Sequence, residues 1–146
     1  MIIIQYGNGQ RQVFHGDDGD RVPELKLAIA CYADNYQEVL RILTDYPNVD
    51  VNAAVRRLGV RGNGTPLVLT GSKAIAELLV KYGARVNHPC NYSHTSDKTI
   101  TPLDSALREL TKLPVRNSSE KTAQIKELIA YLESLGAMRS PNLYLE

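Results

Sequence analysis

Two short motifs recur along the chain in a fixed order, one typical of a helix start and one of a helix end. Thr-Pro-Leu occurs at Thr65 and again at Thr101, 36 residues later, and Gly-Ala follows at Gly83 and again at Gly136. Proline suits the first position of a helix, and glycine suits the position just past its end. Such a recurrence indicates a repeat protein, in which each unit buries its apolar face against the next unit.

Apolar residues at helical spacing lie between these motifs. We expect a first helix from Leu25, a second from Tyr36, and a loop from Asp50 onward. The stripes that predict the later helices in each unit are Tyr36, Val39, Leu40, Ile42 and Leu43, then Ile75, Leu78, Leu79 and Tyr82, and finally Leu128, Ile129, Leu132 and Leu135.

Residues 2–14 have the pattern of a β-hairpin. Two short segments of high β-propensity flank Gly7-Asn8-Gly9, and Asn-Gly supplies the positive φ angles of a tight hairpin turn. The sequence therefore predicts residues 1–19 as an N-terminal cap, 20–140 as a three-unit repeat domain and 141–146 as a tail. The run Ile2-Ile3-Ile4 also leaves a second possibility, self-association through an open strand edge.

The units resemble ankyrin repeats. That family's unit runs from Thr-Pro-Leu through a Leu-Leu helix to Gly-Ala-x-Val-Asn, and residues 65–69 with 75–87 fit it best. By comparison with the family, the first helix of this unit is about three residues short. The first unit fits least well, with Leu25-Lys26-Leu27 in place of Thr-Pro-Leu. The resemblance implies an all-α repeat, an ankyrin-like solenoid of helix pairs, with an N-terminal β-hairpin outside it. It also implies a protein-binding module that docks partners on its finger loops and the ends of its first helices.

The residues that the resemblance assigns to partner binding share these two locations. In the first unit they are Arg21, Val22, Glu24 and Tyr32; in the second, Arg61, Gly62 and Gly64; in the third, Asp97, Lys98, Ile100, Arg108 and Glu109.

Three arginines, Arg56, Arg57 and Arg61, lie close together in the expected loop after Asn52. A guanidinium binds carboxylates through two parallel hydrogen bonds, so the cluster favours a partner with an acidic surface. The alternative is an ordinary solvated loop. Nucleic acid is disfavoured, because the chain carries a net charge of only +1 and the loop has no stacking aromatic residue.

His88, Cys90 and His94 form the strongest alternative, a metal-binding regulator or an enzyme. Structural zinc requires four ligands, and no fourth is evident nearby, so neither metal nor cofactor is expected. The resemblance places Cys31 at a core position of the first helix, where we expect it to pack as a small apolar residue. No phosphate loop and no catalytic triad with assignable geometry appear, so we expect a protein that is not an enzyme.

The sequence also bears on where the protein is located and whether it is a monomer. The N-terminal apolar run is too short for a signal peptide, and no run approaches the roughly 20 apolar residues of a membrane span. Two widely separated cysteines are typical of a reducing compartment. The sequence therefore predicts a cytoplasmic monomer that does not bind membranes and whose partner is another protein. An inhibitor, an immunity-type protein or an adaptor fits these expectations.

Overall fold

The computed structural model describes residues 2–15, 22–57, 63–88, 100–112 and 119–139. These residues form three strands and six helices. The strands are β1 (Ile2–Gln5), β2 (Arg11–Phe14) and β3 (Ala54–Arg57). The helices are α1 (Pro23–Tyr32), α2 (Tyr36–Asp45), α3 (Pro66–Leu69), α4 (Lys73–Lys81), α5 (Pro102–Lys112) and α6 (Ser119–Ser134).

Both recurring motifs do what the sequence predicts. Pro66 and Pro102 are the first residues of α3 and α5. The hydroxyl oxygen of Thr65 accepts from the Val68 amide at 3.4 Å, and that of Thr101 accepts from the Asp104 amide at 3.2 Å. These bonds satisfy amides that have no partner within the helix. At the other end, Gly83 and Gly136 follow α4 and α6 with φ angles of 103° and 85°, which favour glycine.

The first helix begins earlier than predicted. The sequence pattern placed its start at Leu25, but α1 begins at Pro23, with Val22 as its N-cap residue. Pro23 therefore occupies the position of Pro66 and Pro102, because its fixed φ suits a first helical turn. The alignment of the first unit shifts by three residues, and Glu24 lies within the helix and not in a finger loop.

The prediction of an all-α solenoid is wrong, because the hairpin belongs to a three-stranded sheet in a mixed α and β fold. The strand order is β2-β1-β3, and β1 pairs antiparallel with both neighbours. Ile4 lies opposite Gln12 on one side and Val55 on the other. The hairpin is thus no separate cap: β1 is a central strand, and the expected loop at Ala54–Arg57 is its partner.

The helices lie in two layers, with α1, α3 and α5 in one and α2, α4 and α6 in the other. The larger apolar core lies between these layers and contains, among others, Leu27, Val39, Ile42, Leu67, Ile75, Leu79 and Leu128. One face of the sheet covers α1, where Ile2, Ile4 and Val55 pack with Leu25 and Ala28. Ile3, on the opposite face, packs against Ala54, Val68 and Ile100.

Two asparagines link successive helix pairs in the same way. The Asn52 side-chain amide donates to the Gly83 carbonyl at 3.1 Å, and its oxygen accepts from the Arg85 amide at 2.8 Å. One unit further on, Asn87 donates to the Gly136 carbonyl at 3.1 Å and accepts from the Met138 amide at 2.7 Å. Each side chain therefore satisfies backbone groups just past the helix end of the following unit.

We expect Asn52→Ala and Asn87→Ala each to lower the free energy of unfolding by about 1–2 kcal/mol, since each removes two solvent-accessible hydrogen bonds. Urea unfolding measures the change. Asn48→Ala, at an exposed turn position, is the control and is expected to change stability by less than about 0.5 kcal/mol. Three variants of equal stability would contradict the role given to the paired bonds.

The hairpin turn is held against the helical units at Gly7. Its amide donates to the Asp50 carboxylate at 2.7 Å, and its carbonyl accepts from the Arg85 guanidinium at 2.7 Å. A Cβ at this position would lie 2.9 Å from Asn52 Cβ and 2.8 Å from the Arg85 guanidinium. Only glycine allows the turn to approach this closely.

Gly7→Ala is therefore expected to destabilise the protein by about 1–3 kcal/mol, because the turn has to move away from Asp50 and Arg85. Gly71→Ala is the matched control. A Cβ at Gly71 would meet no atom closer than 3.4 Å, so this variant should be neutral or slightly stabilising. Thermal unfolding distinguishes the two, and equal midpoints would contradict the close docking of the turn.

Candidate binding cleft

A cleft of about 700 Å³ opens between the ends of α1, α3 and α5 and the first half of α6. Its apolar lining includes Leu69, Ala106, Ile125 and Leu128. Tyr32, Asp34, Glu109 and Lys121 are its aromatic and charged residues. Volumes of this size are typical of sites that hold a ligand or a partner's side chains. All three helical units contribute to the walls.

The cleft exists because α3 is a single turn. Its neighbours in the same layer, α1 and α5, have 10 and 11 residues, whereas α3 has four and ends at Leu69. Thr70, Gly71 and Ser72 then run in extended conformation to α4. The missing turns of α3 leave space between α1 and α5, and the shortness that the sequence indicated for this helix is confirmed.

Asp34 fixes this short segment from the side of the first unit. Its Oδ1 accepts from the Thr70 hydroxyl at 2.8 Å and from the Gly71 amide at 2.9 Å. The backbone at Asp34 has a φ of 52°, a value that aspartate and asparagine tolerate better than most residues. The amide of the next residue, Asn35, donates to the Ala30 carbonyl at 3.0 Å and closes the end of α1.

Asp34 is one of the residues that line the cleft. A Cβ built on Gly71 would lie 3.4 Å from Asp34 Oδ2 and 3.4 Å from Ile125 Cδ1. Both atoms therefore lie close to Gly71, whose missing side chain leaves the space beside them open. The Thr70 hydroxyl and the Gly71 amide both donate to the other carboxylate oxygen, Oδ1.

The third unit holds the same segment from the other side. The Gln124 side chain in α6 donates to the Gly71 carbonyl at 3.0 Å, and the Ser105 hydroxyl in α5 donates to the Val68 carbonyl at 2.8 Å. The floor of the cleft is therefore tied to both neighbouring units by hydrogen bonds. A surface held in this way loses little conformational entropy when a ligand binds.

Side chains of different accessibility line this cleft. The Tyr32 side chain, at the last position of α1, is 50% exposed, although aromatic residues usually bury most of their surface. Glu109 is half-buried on α5, and Lys121 is exposed in the first turn of α6. Two carboxylates and one ammonium group give these charged residues a formal net charge of −1.

Among the residues assigned to partner binding from the sequence, the structure brings Tyr32, Ile100 and Glu109 to this cleft. Arg108 is half-buried on the same helix as Glu109. Ile100 is only 5% exposed and packs in the apolar cluster around Ile3, on the sheet face opposite α1, so its side chain offers a partner little surface.

Other assigned residues have structural contacts. Val22 packs beneath the sheet, and the Glu24 carboxylate accepts from the Asp50 amide at 2.9 Å. Gly64 is buried and exchanges two backbone hydrogen bonds with Val55, which extends the strand pairing beyond β3. Arg21, Arg61, Gly62, Asp97 and Lys98 lie outside the described residues.

The arginine cluster lies in a strand and not at a loop tip, as far as it is described. Arg56 pairs with Ile3 across the sheet and is exposed, whereas Arg57 pairs with Ile2 and is half-buried. The Asn63 side chain both accepts from the Arg57 amide, at 2.9 Å, and donates to its carbonyl, at 3.1 Å. Strand pairing therefore directs neighbouring arginines to opposite faces of the sheet.

The metal hypothesis falls largely outside the described residues, because Cys90 and His94 lie beyond them. His88 is half-buried, and its pKa is lowered by burial and then by the positive charge of Arg85. Within the described ranges, no three His, Cys, Asp or Glu residues lie together in a group that could hold a metal ion.

Cys31 is fully buried, and burial, reinforced by the charge of Asp34, raises the pKa of its thiol far above the usual range.

The sequence interpretation missed Asp34, Gly71 and Lys121. None of the three belongs to the recurring Thr-Pro-Leu and Gly-Ala motifs. The one sequence signal that could have indicated the cleft is the short helix α3 followed closely by Gly71. The contact between Asp34 and Gly71 joins residues 37 positions apart, which no local pattern reveals.

Comparisons with known proteins give this chain no relative. No protein-family model matches it, and neither the curated proteins nor the solved structures contain a match. The resemblance to ankyrin repeats therefore stays a prediction from the sequence. Among the helices of the described part of the chain, none has both the length and the apolar character needed to cross a lipid bilayer.

Proposed function

We propose that this protein is a non-catalytic recognition module that binds another protein through the cleft between its helical units. A small inhibitor, an immunity-type protein or an adaptor would act in this way. The observation that carries the proposal is the 50% exposed ring of Tyr32 beside a cleft whose floor is hydrogen-bonded from both sides. Exposed aromatic residues beside pockets are typical anchors of protein interfaces.

The repeated asparagine contacts tie successive helix pairs together, and a rigid surface of this kind suits a role in binding. A second contact through Arg56, on the outer face of the sheet, with an acidic patch of the partner belongs to the same proposal. We also propose that the protein is a monomer before it binds its partner and that it is located in the cytoplasm. The buried, unpaired Cys31 is compatible with this location.

Photo-crosslinking tests the proposal. A photoreactive phenylalanine analogue replaces Tyr32 in the full chain, and the crosslinked proteins from native lysate are identified by mass spectrometry. Tyr82, 42% exposed at the end of α4 in the other helix layer, is the matched control site. We expect a stoichiometric adduct from position 32 that unlabelled wild-type protein competes away and that position 82 does not give. Equal adducts from both positions, or no adduct at all, would contradict the proposal.

A further inference from the structure

The charges and shape of the cleft indicate what it binds. Among the lining residues that the structure describes, Asp34 and Glu109 carry carboxylates and Lys121 carries an ammonium group, so their formal net charge is negative. We propose that the cleft accepts an arginine side chain from the partner protein, held by the Asp34 and Glu109 carboxylates beside the ring of Tyr32. The inference rests on the proposed function and specifies the partner's chemistry at this site.

Asp34 is the best-defined part of the proposed site. Its Oδ1 is occupied by the Thr70 hydroxyl and the Gly71 amide, and these bonds fix the orientation of the whole carboxylate. Oδ2 lies beside Gly71, and a Cβ built on that glycine would be 3.4 Å from Oδ2 and 3.4 Å from Ile125 Cδ1. A carboxylate held in this way beside an apolar side chain suits a cation, because little side-chain freedom is lost on binding.

Arginine suits this lining better than lysine does. Its planar guanidinium offers five N–H donors, so one group can bond two carboxylates at once, and its flat face stacks on an aromatic ring. Ile125 and Leu128 form an apolar part of the cleft lining, which is compatible with the methylene stem of the same arginine side chain. A lysine ammonium offers a compact, strongly hydrated charge and no flat face.

Two isosteric variants test the charges without changing the shape of the cleft. Asp34→Asn retains an Oδ1 acceptor for Thr70 and Gly71, and asparagine is favoured at a φ of 52°, so the fold is expected to survive. Glu109→Gln removes the negative charge on α5 and keeps the shape of the side chain. Glu127→Gln, exposed on α6, is the control. Lys121→Ala removes a positive charge from the described lining of the cleft and is expected to strengthen cation binding.

The probe is the blocked tripeptide acetyl-Gly-Arg-Gly-amide, added to the isotope-labelled full chain at low salt and followed by NMR. We expect saturable shifts of the Thr70 and Gly71 amide signals, weaker shifts with the lysine tripeptide and none with the glutamate tripeptide. Asp34→Asn and Glu109→Gln should each weaken arginine binding at least fivefold, Lys121→Ala should strengthen it about twofold, and Glu127→Gln should leave it unchanged.

Three results would overturn the inference: no saturable shift with the arginine tripeptide, equal binding of the lysine tripeptide, or unchanged affinity in Asp34→Asn. Tighter binding of free arginine than of the tripeptide would also overturn it, because the ligand would then be a small molecule. Crosslinking from position 32 separates this failure from failure of the proposed function. If a partner captured there binds Asp34→Asn and wild type equally, the proposed function stands and the inferred arginine site is contradicted.

Discussion

Ile4→Ala is expected to lower the free energy of unfolding by about 2–5 kcal/mol, the usual effect of removing most of a fully buried aliphatic side chain. Ile4 has no exposed surface, and it packs with Leu25 and Ala28 beneath the sheet. It also lies in the central strand, between Gln12 and Val55. Chemical denaturation of the purified variant measures the loss.

Val13→Ala is the control for this prediction, since Val13 lies on the neighbouring strand β2 but is 46% exposed. We expect it to cost less than about 1 kcal/mol. If the hairpin were instead a loosely attached cap, Ile4→Ala would cost no more than Val13→Ala. That result would contradict the three-stranded sheet.

Tyr32→Ala is expected to weaken binding of the protein captured at the cleft by about 30-fold or more, which corresponds to a hot spot of about 2 kcal/mol. The ring is half exposed at the end of α1, so its loss should affect binding far more than folding. Calorimetric titration of the partner with wild type and variant gives the ratio, and the thermal midpoint of each confirms that both are folded.

Tyr82→Ala removes a ring of similar exposure at the end of α4 and is expected to leave the affinity unchanged within about twofold. Equal losses in the two variants would mean that the interface is not centred on the cleft. Tyr32→Phe adds a further distinction. If the variant binds as wild type does, the ring provides the contact, whereas a loss as large as that of alanine assigns it to the hydroxyl group.

Local sequence signals predict the helical part of this fold well. Thr65 and Thr101 mark helix starts because threonine caps and proline begins a helix, and Gly83 and Gly136 mark helix ends because their backbones need a positive φ. The hairpin was equally predictable from Gly7-Asn8-Gly9. Each of these signals depends only on residues within about one turn of each other.

The strand β3 was not predictable in this way. Ala54, Val55, Arg56 and Arg57 do not alternate between apolar and polar residues, because both faces of the strand are partly covered. Its partner, β1, lies about 50 residues earlier in the chain. The cleft is hidden from local patterns for a similar reason, because its floor depends on the contact of Asp34 with Thr70 and Gly71, which lie 36 and 37 positions later in the chain.

Methyl-labelled NMR spectra of the full chain with and without the captured partner test the central claim, that the partner occupies the cleft. The account predicts that the Ile125 methyl signal, from the cleft lining, shifts on binding. Those of Ile42 and Ile75, buried in the larger core, should stay in place. An unchanged Ile125 signal in the saturated complex would contradict the account and place the interface elsewhere on the molecule.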